Sequence, residues 1–213
     1  MDKIGTFFKK AFSKECLKKF FDTYIWLMVI IFVIDIVTKW VVLNHFGVEA
    51  ANQQRHSDTG AIEVIKGFAY IGIAINDGAA FSALSGKRVI LLLISLVMTG
   101  GFIFYYIKNY KKLSTPYRIA LALMIAGGFG NLIDRAFYWE STVGIDGVID
   151  WIIFRFGPTK EYEFAMFNIA DSGLVIGILI CAVTMIVEAI NEKTKKTTVE
   201  QEVEPKNEEN KGE

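Results

Sequence analysis

The chain is short of the residues that build nucleophilic triads, thiol frameworks and histidine-rich metal sites. It has two histidines, His45 and His56, both in a polar stretch, so a Ser-His triad or a multi-histidine centre is hard to assemble. It has two cysteines, Cys16 in a basic tail and Cys181 in an apolar run. They are not expected to meet, and they read as small apolar thiols rather than a disulfide. Lys and Arg number 23 and Asp and Glu number 23, for a formal net charge of +0. That balance leaves no global field to attract nucleic acid, and no nucleic-acid partner is expected. Charge as a whole is scarce, at 22% against 53% hydrophobic residues. With a mean hydropathy of +0.37, this is not the balance of a soluble domain.

What the chain has instead is long apolar runs. A bilayer core of about 30 Å needs about 20 mainly apolar helical residues. Four stretches approach that length: Tyr24–Leu43, Val89–Ile107, Tyr117–Leu132 and Ile169–Ile190. The first is too long for a signal-peptide core and no small-x-small cleavage pattern follows it, so it is read as a permanent helix. Lysines and arginines cluster before the first stretch, between the second and third (Lys108, Lys111, Lys112, Arg118) and after the fourth (Lys193, Lys195, Lys196). The positive-inside rule puts all three clusters in the cytoplasm, together with both termini. The long connections Asn44–Arg88 and Ile133–Asn168 then lie outside, and function is expected there. The predicted organisation is a basic amphipathic tail over residues 1–23, a membrane domain over 24–190 and a disordered tail over 191–213. Within the first tail, Ile4, Phe7, Phe8, Ala11, Phe12 and Cys16 recur at helical spacing between lysines, which suggests a helix on an anionic membrane surface; a merely topogenic basic tail is the alternative. Ile62–Ile75, rich in Ile, Val and aromatics and interrupted by Gly67 and Gly72, reads as strands. The expected fold is an all-α integral membrane protein: four transmembrane helices with a small β-rich extracytoplasmic platform.

Ionisable groups in a bilayer are costly, so each polar cluster in this lipid-soluble chain needs a reason. Asp35 and Lys39 are four apart on one helix face, which suits an internal ion pair or a lysine reaching for the interface, or alternatively support for a neighbouring active site. Asn76-Asp77-Gly78 favours a turn, or alternatively offers Asn76 to a bound peptide. Gly127, Asn131 and Asp134 share a face, and the glycines of Gly127-Gly128-Phe129-Gly130 permit close helix packing. That packing does not explain Asn131 or Asp134, although an Asp134–Arg135 anchor at the interface would. Asn168 and Asp171 fit an N-cap and N3 acid at the start of the fourth helix. Asp150, within Val148-Ile149-Asp150-Trp151-Ile152, is left unexplained.

At these residues the chain resembles the prolipoprotein signal peptidases, or signal peptidase II. The likeness runs in order through Asp35-x-x-Thr38-Lys39, Asn76-x-Gly78-Ala79-Ala80-Phe81, Gly130-Asn131-x-x-Asp134-Arg135, Val148-x-Asp150 and Phe167-Asn168-x-Ala170-Asp171-Ser172. It spans about Ile30 to Gly177. Each motif is weak alone, but five in order on a four-helix chain are highly specific. The resemblance implies an aspartic endopeptidase of the bacterial cytoplasmic membrane, with Asp150 and Asp171 as the catalytic pair. It implies Asn76, Gly130, Asn131, Asp134, Arg135, Asn168 and Ala170 around them. The implied partners are membrane lipids and prolipoproteins whose cysteine carries diacylglycerol, cut just before that cysteine; no cofactor or metal is implied. Lys66, Trp151 and Glu163-Phe164-Ala165-Met166 depart from the family pattern, and the Tyr138–Asp146 stretch is longer.

Two close carboxyls suit peptide hydrolysis, because sharing one proton supplies both a base for water and an acid for the leaving nitrogen. Asp171, near a helix N-terminus, is expected to carry the negative charge first, and Asp150 among apolar neighbours to keep the proton. Three other classes use similar residues. A proton-coupled transporter buries acids, a metal-dependent hydrolase would take Asp134, Asp150 and Asp171 as ligands, and an adaptor would bind a precursor without cutting it.

Overall fold

The computed structural model describes residues 13–52, 60–78, 84, 86–138, 144–156 and 162–203. Its order is α1 (Lys14–Asp22), α2 (Ile25–Phe46), α3 (Val48–Asn52), β1 (Ile62–Ile65), β2 (Ala69–Asn76), α4 (Arg88–Asn109), α5 (Thr115–Phe137), β3 (Val148–Phe156), β4 (Tyr162–Glu163) and α6 (Ile169–Val203). Helices α2, α4, α5 and α6 are long and apolar enough to cross a membrane. The 22 residues of α2 rise about 33 Å, enough for the bilayer core.

The four helices are not equivalent. In α5, 67% of the most apolar window is buried, against 17%, 17% and 11% in α2, α4 and α6. Helix α5 is therefore the core of the bundle, and the other three turn most of their apolar surface outward. Its composition explains this. Ala120, Ala122, Ala126, Gly127 and Gly130 present little side chain, so α6 and α2 come close to its backbone. A Cβ built at Gly127 would lie 2.2 Å from the Ala170 carbonyl oxygen of α6, and one at Gly130 would lie 2.3 Å from Asp35 Oδ2 of α2.

Each expected span is present, with later ends. Helix α5 starts at Ser114-Thr115-Pro116, with proline in its first turn. It continues past Leu132 to Phe137, carrying Asn131, Asp134 and Arg135 on regular helix rather than in a connection. Helix α6 runs to Val203, through the first part of the tail expected to be disordered from residue 191. Glu192, Lys193, Lys195, Lys196, Glu200, Gln201 and Glu202 there are polar but favour helix, so loss of apolar periodicity does not end it. Its 35 residues rise about 52 Å, more than a bilayer core needs. Residues 1–12, which hold most of the expected amphipathic segment, lie outside the described residues, and so do 204–213. Ala79, Ala80 and Phe81 of the second motif and residues 139–143 of the long connection are outside them too.

The strands form one antiparallel sheet in the order β1-β2-β3-β4. Gly67 lies in the turn between β1 and β2, as expected. Gly72 does not break the strand but lies inside β2, where the pairing with β3 shifts register between Ile71 and Ala74. A Cβ there would meet the Ile153 side chain at 2.6 Å, so glycine lets β3 pack close. One face of the sheet is sealed by Val42, Ala51, Ile73, Ile75, Ile145 and Ile149 against the ends of α2 and α3.

Candidate active site

Strand pairing assembles the polar centre. In the β2–β3 ladder Asn76 stands opposite Val148 and Asp150 opposite Ala74. The Asn76 amide then reaches across the ladder and donates to Asp150 Oδ2 at 3.0 Å. Its own oxygen accepts from Gly78 N at 3.0 Å, closing the turn that Asn-Asp-Gly favours. On the other side of β3, Phe167 pairs with Ile152 through two backbone hydrogen bonds. The next residue, Asn168, is thereby set beside Asp150 at the start of α6.

Asn168 is fully buried and joins both acids. Its side-chain amide donates to Asp150 Oδ1 at 2.7 Å and also to Asn131 Oδ1 and the Ile149 carbonyl. Its backbone N–H donates to Asp171 Oδ2 at 3.1 Å, while its Oδ1 accepts from Asp171 N at 2.8 Å. This is a reciprocal capping box, so the helix-start reading of Asn168 and Asp171 holds. Asn131 of α5 adds a donor to Asp171 Oδ1 at 2.7 Å. Asp150 is 2% exposed, whereas Asp171 is partly open. Burial pushes the Asp150 carboxyl up to about 8, with the charge of Asp171 the next cause. The hydrogen bonds from Asn76 and Asn168 and the charge of Lys39 oppose that shift without cancelling it.

A second polar layer lies against the first. Lys39 Nζ sits 2.8 Å from Asp35 Oδ2 and 2.9 Å from Asp134 Oδ2, and all three side chains are fully buried. Asp35 and Lys39 thus form an internal ion pair, and the lysine does not reach the interface. Asp134 is likewise no interfacial anchor. It pairs with Lys39 and accepts from Ile149 N at 3.2 Å. Lys39 joins the layers by donating to Asn131 Oδ1 at 3.1 Å, and Asp35 Oδ1 by accepting from Ala170 N at 2.8 Å. Gly130 and Ala170 are the small residues that allow that approach. Arg135 reaches from α5 to the Gly78 carbonyl at 3.0 Å.

All eleven residues singled out from the sequence thus gather where the helix ends meet the sheet. Two were missed, Arg88 and Asp146. Arg88, expected at the end of a connection, is the first residue of α4 and is buried. An arginine directly before an apolar run was the available signal. Among the described residues, no group of three or more His, Cys, Asp or Glu side chains is arranged to hold a metal ion.

Four apolar helices carrying a small sheet define a multi-pass membrane protein with a buried carboxyl-amide network at one end of its bundle. Comparison with known proteins supplies the family. The family model described as Signal peptidase (SPase) II matches residues 27–187, and the chain belongs to that family of membrane proteases. It is 33% identical over 165 residues to a lipoprotein signal peptidase of Bacillus pumilus, covering 78% of this chain and 92% of that one. A Staphylococcus aureus lipoprotein signal peptidase is 32% identical over 178 residues, covering 84% and 96%. Two solved chains, each described as a bacterial membrane enzyme structure obtained by the in meso method, superpose with TM-scores of 0.60 and 0.55. Both are 28% identical, covering 79% and 76% of this chain and 90% and 92% of theirs.

Proposed function

We propose that this chain is an aspartic endopeptidase that removes signal peptides from diacylglyceryl-modified bacterial prolipoproteins, cutting just before the lipidated cysteine, with Asp150 and Asp171 as its catalytic pair. The observation that carries this is the linkage of two carboxyls through Asn168, with Asp150 pushed up to about 8. At neutral pH such a pair holds one proton. Asp171 accepts from Asn131 and from the N-terminal backbone of α6, donors suited to a carboxylate, and it acts as base toward water. The water oxygen adds to the scissile carbonyl carbon as Asp171 takes its proton. Asp150 gives its own proton as the C–N bond breaks, leaving a free carboxyl and a free amine. Asn76, Asn131 and Asn168 orient the acids, and Arg135 supplies positive charge beside them. Asp35, Lys39 and Asp134 hold α2, α5 and α6 in register beneath.

The helices open to lipid around α5 suit a substrate whose acyl chains stay in the bilayer while its peptide reaches the pair. Lysine distribution favours both termini in the cytoplasm and the sheet outside. Helix α1 continues a basic segment suited to an anionic lipid surface. The decisive experiment incubates purified full-length protein with a synthetic diacylglyceryl precursor and with its unlipidated twin. Release of the signal peptide from the first and little from the second is expected, with EDTA leaving the rate unchanged. Equal cleavage of both, or EDTA inhibition reversed by Mg²⁺, contradicts the proposal. Flux through liposomes without cleavage would indicate a transporter.

A further inference from the structure

Arg88 lies outside the two polar layers and outside every motif that carries the family resemblance. It is 8% exposed, at the first residue of α4. Its guanidinium does not point to solvent. Nε and Nη2 both donate to the Arg135 carbonyl, at 2.9 and 2.7 Å, and Nη2 also reaches the Asp134 carbonyl at 3.3 Å. Both carbonyls lie in the last turn of α5, at its negative dipole end, and the Asp134 carbonyl also accepts from Tyr138 N at 2.9 Å. Nη1 forms an ion pair with Asp146, whose side chain is half exposed.

These contacts tie three chain segments that each bear on Asp150. The last turn of α5 carries Asp134, whose carboxylate holds Ile149 N, and Arg135, whose side chain holds the Gly78 carbonyl. Asp146 sits just before the point where β3 enters the sheet opposite Asn76. The start of α4 closes the connection that leaves Asn76. One planar cation with several fixed donors suits this task better than a lysine, because it satisfies carbonyls and a carboxylate at once.

We infer that Arg88 is a positioning residue for the peptidase reaction, clamping the end of α5 to the entry of β3 so that Asp150 and Arg135 keep their places around the scissile bond. Arg88 touches neither carboxyl and acts through Asp146, Asp134 and Arg135. Loosening the clamp misplaces the reacting groups more than it weakens substrate binding, so it lowers kcat more than it raises KM.

The inference rests on the peptidase proposal, and its test separates the two. Wild type, Arg88→Ala, Arg88→Lys and Asp146→Asn are purified as full chains and assayed with the diacylglyceryl precursor. Amide exchange over residues 147–150 is followed in parallel without substrate. Arg88→Ala is expected to lose on the order of 10-fold in kcat with KM within about twofold, and to exchange faster over β3 entry. Arg88→Lys should recover part of both losses, and Asp146→Asn should show a smaller fall of the same kind. If wild type does not cleave, the peptidase proposal fails, while faster exchange in the variants still supports the clamp. Wild-type kcat and exchange in Arg88→Ala overturn the inference, and so does a KM rise at unchanged kcat or an Arg88→Lys variant as impaired as Arg88→Ala. Should Arg88→Ala not fold, Asp146→Asn decides, because its exposed side chain can be changed without opening the core. Unchanged kcat and exchange there would refute the clamp.

Discussion

Two pairs of aspartates lie close together in this molecule, and their neighbours differ in one respect. Asp35 and Asp134 share a lysine, with carboxyl oxygens 2.8 and 2.9 Å from Lys39 Nζ, and no part of the three side chains is exposed. Asp150 and Asp171 share asparagines instead, and among the described residues neither has an ion-pair partner. A cation at contact distance fixes the charge of an acid and makes it a structural fastener. Amides satisfy hydrogen bonds without supplying a full charge, so the proton on such a pair stays available. The residue type is the same in both layers, and under the proposed function the partner decides between holding and reacting.

The largest effect should come from abolishing ionisation in the amide-bound pair. Asp150→Asn and Asp171→Asn keep shape but remove the exchangeable proton, so each should lower cleavage by roughly 10³-fold or more. Membrane insertion and yield should stay near normal, because neither change leaves a buried charge unpaired. Near-wild-type turnover by either variant, assayed on the lipidated precursor, would sink the catalytic assignment.

The converse change strips the cation from the sealed layer. Lys39→Met leaves two buried carboxylates without their counter-ion and takes a donor from Asn131. Breaking a buried pair in this way costs about 3–5 kcal/mol. Thermal denaturation of the detergent-solubilised variant should show it as a large drop in Tm. Unchanged stability would mean that the layer is not a fastener.

Acidity gives a third way to separate the layers. An acid pushed up to about 8 holds its proton below that pH and loses it above. If the pair needs one proton, cleavage falls as pH rises through about 8, and the unshared negative charge of both carboxyls marks the inactive state. A kcat/KM profile of the wild type checks this, with no decline up to pH 10 as the contrary result.

How much of this was visible in the residues differs between the layers. The four spans followed from apolar run length, since a bilayer imposes one length on every helix. Both polar layers were visible as polar clusters in a lipid-soluble chain. What joins them was not. Asn76 was balanced between a turn and a hold on bound peptide, and it proves to close the turn with Gly78 while also holding Asp150, a contact made 74 positions away. Lys39 and Asp134 come from helices whose contact depends on the small face of α5, which no single motif reports. The helical backbones of α5 and α6 run beyond their apolar stretches for a local reason. Loss of apolar character marks where a helix leaves lipid, not where its backbone hydrogen bonding stops. Arg88 escaped notice because it stands beside Lys87 at the end of a polar connection, and only the meeting of α4 with the end of α5 gives it partners.

The smallest effect should come from Asp134→Asn, and it tests the contrast most finely. The wild-type layer has two carboxylates for one lysine, so losing one leaves a balanced Lys39–Asp35 pair rather than an orphaned charge. The amide oxygen can still accept from Ile149 N, which keeps β3 docked on α5. What is lost is one charge-assisted bond to Lys39, and the lysine retains Asp35 and Asn131. Cleavage should therefore fall by about 10-fold or less, two orders of magnitude short of the loss expected at Asp150. Steady-state rates for the two variants, measured on folded protein under one condition, make the comparison direct. A loss at Asp134 equal to that at Asp150, in protein of unchanged stability, would place Asp134 among the reacting groups and erase the distinction between the layers.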